Sequence, residues 1–184
     1  CVAQKFGIDA ETIKQALEEV RVPGRSELVD NKMGLPIMID YAHTPASLKN
    51  ILEASKCYTR GKIISVFGCG GDRDPIKRPI MGEISGKIAE YTIICEDNPR
   101  TEDPYKIIAQ IEEGVKKSKG KYEVIFDREK AIEAAIKMAT KNDIVVITGK
   151  GHEKYQDRNG VKYPLDENAI IKRITDEMAE QMKK

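Results

Sequence analysis

The feature that most constrains the fold is a set of apolar runs that each end in a charged, glycine- or proline-bearing loop. Ile63–Phe67, Thr92–Cys95 and Ile144–Thr148 are near-continuous apolar segments, without the polar alternation of a half-exposed strand. Such segments belong to strands buried on both faces, as in a parallel sheet covered by helices. The first run opens into Gly68-Cys69-Gly70-Gly71-Asp72-Arg73-Asp74. The second leads to Asp97-Asn98-Pro99-Arg100, and the third to Gly149-Lys150-Gly151-His152-Glu153. Loops leaving the carboxyl ends of parallel strands line one crevice, and ligands bind there. Together the three loops offer two arginines, a glutamate and several backbone amides, a set suited to a small zwitterionic or anionic ligand.

The segments between the runs have helical spacing. A helix opens at Pro45 with Leu48, Ile51 and Leu52 inward, and another opens at Pro79. Asp103-Pro104 is an N-cap and first-turn pair before Ile107, Ile108 and Ile111. Asp127 caps a helix carrying Ile132, Ala135, Ile136 and Ala139, and a last helix from about Asp166 carries Ile170, Ile171, Ile174 and Met178. Tyr122–Phe126 reads as a further strand, and Glu27–Val29 with Ile37–Ile39 as a small hairpin around Asp30–Gly34. The expected fold is α/β and Rossmann-like, a mostly parallel sheet with helices on both faces.

The length of 184 residues suits one domain with an attached remnant. Residues 1–22 supply the remnant: a helix capped by Asp9, with Ile13, Ala16, Leu17 and Val20 on one face, ended by Pro23-Gly24. It reads as the tail of a preceding domain. The 31 basic and 30 acidic residues nearly cancel, so charge gives no ground to expect nucleic acid or an anionic membrane as partner. No apolar stretch approaches the roughly 18–20 residues that span a bilayer. Cys1, Cys57, Cys69 and Cys95 have no metal-binding spacing, and are expected to be buried, reduced thiols of a cytoplasmic protein.

Pro99 restricts the turn around Asn98, so Arg100 is aimed at the crevice, where a guanidinium can grip a carboxylate with paired hydrogen bonds. A plain strand-to-helix turn with a surface arginine explains the spacing equally well. The glycines of 68–71 resemble a phosphate loop but lack both the Lys-Ser/Thr ending and the dinucleotide spacing, so Arg73 is the ligand-facing group there. Glu153 suits an ammonium, Gly149 a close backbone approach, and His152 a structural role. In Asp40-Tyr41-Ala42-His43-Thr44-Pro45, Asp40 suits ribose hydroxyls and His43 a phosphate, although a helix-start turn accounts for the same residues. No complete catalytic apparatus is encoded.

These segments occur in order with Pro23-Gly24-Arg25, Lys77-Arg78-Pro79 and Thr101-Glu102-Asp103-Pro104. In this combination the chain resembles the C-terminal part of the Mur ligases, in particular those that add meso-diaminopimelate. The resemblance implies residues 1–24 as a remnant of the central ATP-binding domain and 25–184 as the amino-acid-binding domain. It implies ATP and Mg2+, held mainly by a central domain. The substrates it implies are meso-diaminopimelate and UDP-MurNAc-L-Ala-D-Glu. By motif position it places Arg73, Asp97, Asn98, Pro99, Arg100, Gly149 and Glu153 at the diaminopimelate site, and Arg25, Asp40 and His43 on the ATP-facing edge. It implies no catalytic or metal-binding residue in this segment. Two other readings are a domain of another Mur or folylpolyglutamate-type ligase, and a stand-alone amino-acid-binding module.

Overall fold

The computed structural model describes residues 2–182. Strand β1 (Glu27–Leu28) pairs antiparallel with β2 (Ile37–Asp40), and helix α3 (Pro45–Ser55) leads to β3 (Ile63–Phe67). Helix α4 (Lys77–Ile88), β4 (Tyr91–Ile94), α5 (Pro104–Ser118), β5 (Tyr122–Val124), α6 (Arg128–Met138) and β6 (Ile144–Thr148) then alternate. A hairpin of β7 (Tyr155–Arg158) and β8 (Val161–Pro164) precedes the last helix, α7 (Glu167–Gln181). The main sheet runs β1-β2-β6-β3-β4-β5, parallel throughout except for β1. The chain moves outward from β3 to β4 to β5, then returns to insert β6 between β2 and β3. The strand order therefore reverses between β3 and β6.

Successive residues of the central strands face opposite sides, so each run feeds two cores. Met38, Ile63, Phe67, Ile144 and Val146 pack with α3, α4 and α5. Ile37, Ile39, Ile64, Val66, Val145 and Ile147 pack with α6 and α7. Asp103, Asp127 and Asp166 cap their helices, each accepting a backbone N–H of the first turn. The chain is thus a Rossmann-like α/β domain covered on both faces. No helix among the described residues is long and apolar enough to cross a membrane.

Several boundaries differ from the sequence reading. Helix α4 begins at Lys77 rather than Pro79, because Asp74 Oδ1 accepts the Ile76 N–H and starts the turn early. Strand β5 stops at Val124, short of Phe126. The amino-terminal segment forms not one helix but α1 (Val2–Lys5) and α2 (Ala10–Glu19), separated at Gly7 with φ +77°. Neither buries a residue, and Leu17 and Val20 are exposed. Cys69 and Cys95 are buried as expected. Cys57 is exposed on the 3-10 turn Lys56–Tyr58, and Cys1 lies outside the described residues. The β7–β8 hairpin was not anticipated.

Helices α4 and α5 touch backbone to backbone. A Cβ on Gly114 would lie 1.8 Å from the Pro79 carbonyl oxygen, and one on Gly82 would lie 2.1 Å from that of Ile111. Gly114→Ala gains about 1 kcal/mol of helix propensity. Overpacking at such a seam costs about 1–3 kcal/mol, and backbone atoms cannot swing aside as a side chain does. Gly114→Ala is therefore expected to unfold at lower denaturant concentration than the parent. A midpoint at or above the parent's would mean that the helices are not in such contact.

Candidate functional site

Strands β2, β6, β3 and β4 end along one edge, and their loops enclose an open crevice of about 400 Å3 at the reversal of strand order. Tyr41 and His43 enter from the β2 loop, and Arg73, Asp74 and Lys77 from the β3 loop. Asp97, Asn98 and Arg100 come from β4, and Gly149 and Glu153 from β6. A larger hollow of about 520 Å3 is lined by residues of the 20–30 segment alone, including Arg25. It draws nothing from the strand ends, so the crevice is the better candidate.

One buried chain of hydrogen bonds sets which groups the crevice displays. Lys150 is wholly buried, and its Nζ donates to Asn98 Oδ1 at 2.8 Å and lies 3.4 Å from Glu153 Oε2. The Asp157 N–H also donates to Asn98 Oδ1, at 2.9 Å. With its oxygen doubly engaged, Asn98 turns its Nδ2 outward and donates to Glu153 Oε2 at 2.9 Å. That nitrogen keeps a second N–H, and Glu153 keeps its other oxygen. The crevice thus offers a donor at Asn98 and an acceptor at Glu153.

The cations surround this pair. Arg100 donates from Nη1 to the Gly71 carbonyl at 2.7 Å, which orients its fork between the β3 and β4 loops. Arg73 is exposed and donates to the Asp72 carbonyl. Lys77 donates to the His43 carbonyl at 2.8 Å, joining the β2 loop to the start of α4. Beneath them, buried Arg78 makes a two-pronged contact with Glu102, both N···O distances being 2.8 Å. Arg78 also reaches the Gly70 carbonyl and Gln110, and Glu102 accepts the Asp72 N–H. Arg78 thus fixes the β3 loop against the β4 loop.

On the other side of the sheet Arg128 is fully buried. It donates to Glu167 Oε1 at 2.6 Å, to the Thr148 carbonyl at 2.8 Å and to Cys95 Sγ at 3.5 Å. Its Nη1 is 3.8 Å from Asp97 Oδ2. Burial raises the Glu167 carboxyl above its usual range, and Arg128 opposes that rise. Burial also pushes the Cys69 thiol up to about 12 and Cys95 up to about 11. Both stay protonated near neutral pH, so Cys69, although it lines the crevice, is a packing residue in contact with Met81 rather than a nucleophile.

Of the residues singled out in the sequence, Arg73, Asp97, Asn98, Arg100, Gly149, Glu153 and His43 meet around the crevice. Pro99 is buried and shapes the turn, its carbonyl accepting the Glu102 N–H. Asp40 sits at the edge with both carboxylate oxygens engaged by the Ser26 and Ala42 amides, and so braces the turn after β2. Arg25 lies in the neighbouring hollow, its guanidinium carbon 4.2 Å from the Tyr41 ring centre. His152 is exposed, tilted beside Tyr41. Sequence reasoning gave no role to Lys77 or to Lys150. The position of Lys150 inside the glycine loop was the available signal, but lysines are seldom buried. Among the described residues no group of three or more His, Cys, Asp or Glu side chains is placed to hold a metal ion.

A parallel sheet whose strand ends gather cations, an oriented amide and a carboxylate in one crevice defines a Rossmann-like ligand-binding domain. The family profile described as "Mur ligase, glutamate ligase domain" matches residues 24–151. The chain belongs to that family. It is 49% identical over 173 residues to the UDP-N-acetylmuramoyl-L-alanyl-D-glutamate–2,6-diaminopimelate ligase of Caldanaerobacter subterraneus subsp. tengcongensis, covering 94% of this chain and 36% of that protein. Against the ligase of the same name from Clostridioides difficile the identity is 51% over 157 residues, covering 85% and 32%. The chain therefore spans about a third of the length of the curated relatives it matches. A solved structure of a ligase of that name superposes with a TM-score of 0.79 at 36% identity, covering 97% of this chain and 37% of the other. Folylpolyglutamate synthase from Thermotoga maritima, at TM-score 0.57 and 24% identity over 77% of this chain and 31% of that one, shares the fold alone.

The Arg78–Glu102 pair should leave a pH signature. The hydrogen bonds from Arg78 are the main cause holding the Glu102 carboxyl below its ordinary value of 4.5. A depressed folded-state value contributes stability above the unfolded value and loses it as pH falls through the folded one. Glu102→Gln is expected to be less stable than the parent at pH 7, with a gap that stays constant down to about pH 4.5 and closes below it. Urea titrations at several pH values measure the gap, and one independent of pH would remove the charge from the explanation.

Proposed function

We propose that this chain is the amino-acid-binding domain of an ATP-dependent ligase that adds meso-diaminopimelate to UDP-MurNAc-L-Ala-D-Glu in the cytoplasm. The observation that carries the reading is the segregation of donors and acceptor in one crevice. Arg100, Arg73 and the free N–H of Asn98 suit a carboxylate, and the open oxygen of Glu153 suits an ammonium. Meso-diaminopimelate has both at the end where lysine has only an ammonium. Held there, its other amino group is presented toward the crevice mouth. ATP supplies the activation, converting the D-Glu carboxylate to an acyl phosphate; the amine displaces phosphate and forms the amide. Asp97, Pro99 and Gly149 shape the pocket. Arg25, Asp40 and His43, on the β2 side, are assigned to the edge that meets the nucleotide. The domain division is part of the same proposal. It is supported by the absence of buried residues in α1 and α2 and by a family match that begins at residue 24. Against a folylpolyglutamate-type substrate stand the Asp-Asn-Pro-Arg and Gly-Lys-Gly-His-Glu loops, which furnish the crevice groups named above.

Charge-assisted hydrogen bonds contribute about 1.5–3 kcal/mol. In the full-length ligase, Arg100→Ala is therefore expected to lower kcat/KM for meso-diaminopimelate roughly 10- to 150-fold, with KM for ATP nearly unchanged. The measurement is a competition between meso-diaminopimelate and lysine, and an unaltered ratio of their kcat/KM values would refute the assignment of Arg100. The chain by itself carries no glycine-rich Lys-Ser/Thr phosphate loop. It is expected to release no phosphate from ATP above a matched blank, whatever amino acid is supplied.

A further inference from the structure

Arg100 has a backbone φ of +51°, a conformation that residues with side chains rarely adopt. What holds it there is the β7–β8 hairpin. The Arg100 N–H donates to the Asp157 carbonyl at 3.1 Å, and the Arg100 carbonyl accepts the Asn159 N–H at 2.9 Å. Both backbone groups of this one residue are thus bonded to the hairpin, forming an isolated parallel bridge with Arg158. The same hairpin fastens every residue leading up to Arg100 except Pro99. Arg158 Nη2 donates to buried Glu96 Oε2 at 2.5 Å, buried Gln156 Nε2 to the Asp97 carbonyl at 2.7 Å, and the Asp157 N–H to Asn98 Oδ1 at 2.9 Å. Strand β8 is exposed along its whole length and pairs only with β7. The hairpin therefore adds little core, and its inner strand is directed at the Glu96–Arg100 segment.

We infer that the β7–β8 hairpin is the specificity-positioning element of the crevice: its turn fixes the register of Tyr155–Arg158, which sets the backbone of Arg100 and so the direction of its guanidinium. No hairpin residue is required to touch the ligand. The inference rests on the reading of Arg100 as the carboxylate-binding group. The turn can be altered without substituting any residue that lines the crevice. Asn159 and Gly160 have φ of +52° and +77°, the two left-handed residues of a tight hairpin turn, and the Asp157 carboxylate accepts the Gly160 N–H. A Cβ on Gly160 would meet nothing within 4 Å, so the space is open and only the backbone conformation is demanding.

The test compares Gly160→Val with Gly160→Asn in the full-length ligase. Asparagine tolerates left-handed φ and a β-branched residue does not. Gly160→Asn is expected to keep the parent's ratio of kcat/KM for meso-diaminopimelate over lysine. Gly160→Val is expected to lose that preference, with kcat/KM for meso-diaminopimelate falling toward the ~100-fold that a 1 Å misplacement can cost. KM for ATP should hold. Hydrogen exchange should show the Arg100 amide losing protection while the amides of Ile144–Thr148 keep theirs, which separates a shifted loop from a damaged fold. If Gly160→Val does not accumulate as folded protein, Gly160→Ala carries the same expectation at smaller amplitude. Retention of the parent's preference by the folded variant, with or without loss of Arg100 protection, overturns the inference. Arg100→Ala run alongside tells the two failures apart. If it too retains the preference, the reading of the crevice is wrong. If it alone loses it, only the role of the hairpin is wrong.

Discussion

An arginine removed entirely from water sets the geometry on which the crevice depends. Arg128 is the first residue of α6, and its partner Glu167 is the first residue of α7. From there the guanidinium reaches the carbonyl that ends β6 and the thiol and carboxylate that follow β4. Both helix starts and both loop origins are thereby referred to one rigid planar group. Without it, Asp97 and Glu167 would be two buried acids sharing an apolar space. Such a pair adds little net stability compared with a well-packed apolar core, because removing both ions from water costs about as much as their attraction returns. What it confers is position: five fixed donors leave few alternative arrangements of the strand ends.

The crevice is braced from two sides in different ways. Below the β3 and β4 loops, the guanidinium of buried Arg78 grips the partly exposed carboxylate of Glu102, and this pairing holds that carboxyl below its ordinary value. Between the β4 and β6 loops, Lys150 works without solvent. Its charge is matched by Glu153 and its hydrogen bond decides which end of the Asn98 amide faces outward. Reversing that amide would present an acceptor to the crevice in place of a donor. The chemistry shown to a ligand is therefore decided by a residue the ligand never meets.

The strands were legible because parallel strands buried on both faces need unbroken apolar runs, and Ile63–Phe67 and Ile144–Thr148 are such runs. Helix starts were legible wherever an aspartate capped them, as at Asp103, Asp127 and Asp166. The α4 start was not, because it depends on an Asp74 turn rather than on a side-chain cap. Gathering the loops into one site followed from the rule for strand ends. Their internal wiring did not follow, since the Lys150–Asn98 and Arg128–Asp97 contacts join residues far apart in sequence. The hairpin escaped notice because Tyr-Gln-Asp-Arg and Val-Lys-Tyr-Pro are too polar to read as strands. The Asn159-Gly160 dipeptide between them was a sufficient turn signal. Stiffness was assigned to Pro99, yet the backbone of Arg100 is held from outside its own loop.

The two borders of the main sheet carry a further consequence. On one side the sheet stops at β1, two residues long and reversed in direction; on the other it stops at β5, three residues long with Glu123 exposed beside Lys121. An open parallel sheet of buried apolar strands is a template to which another copy could add its own. Here each border is too short, and one too charged, to accept a newcomer. The apolar strands that build the crevice are kept in the interior of the sheet, where they cannot seed polymerisation.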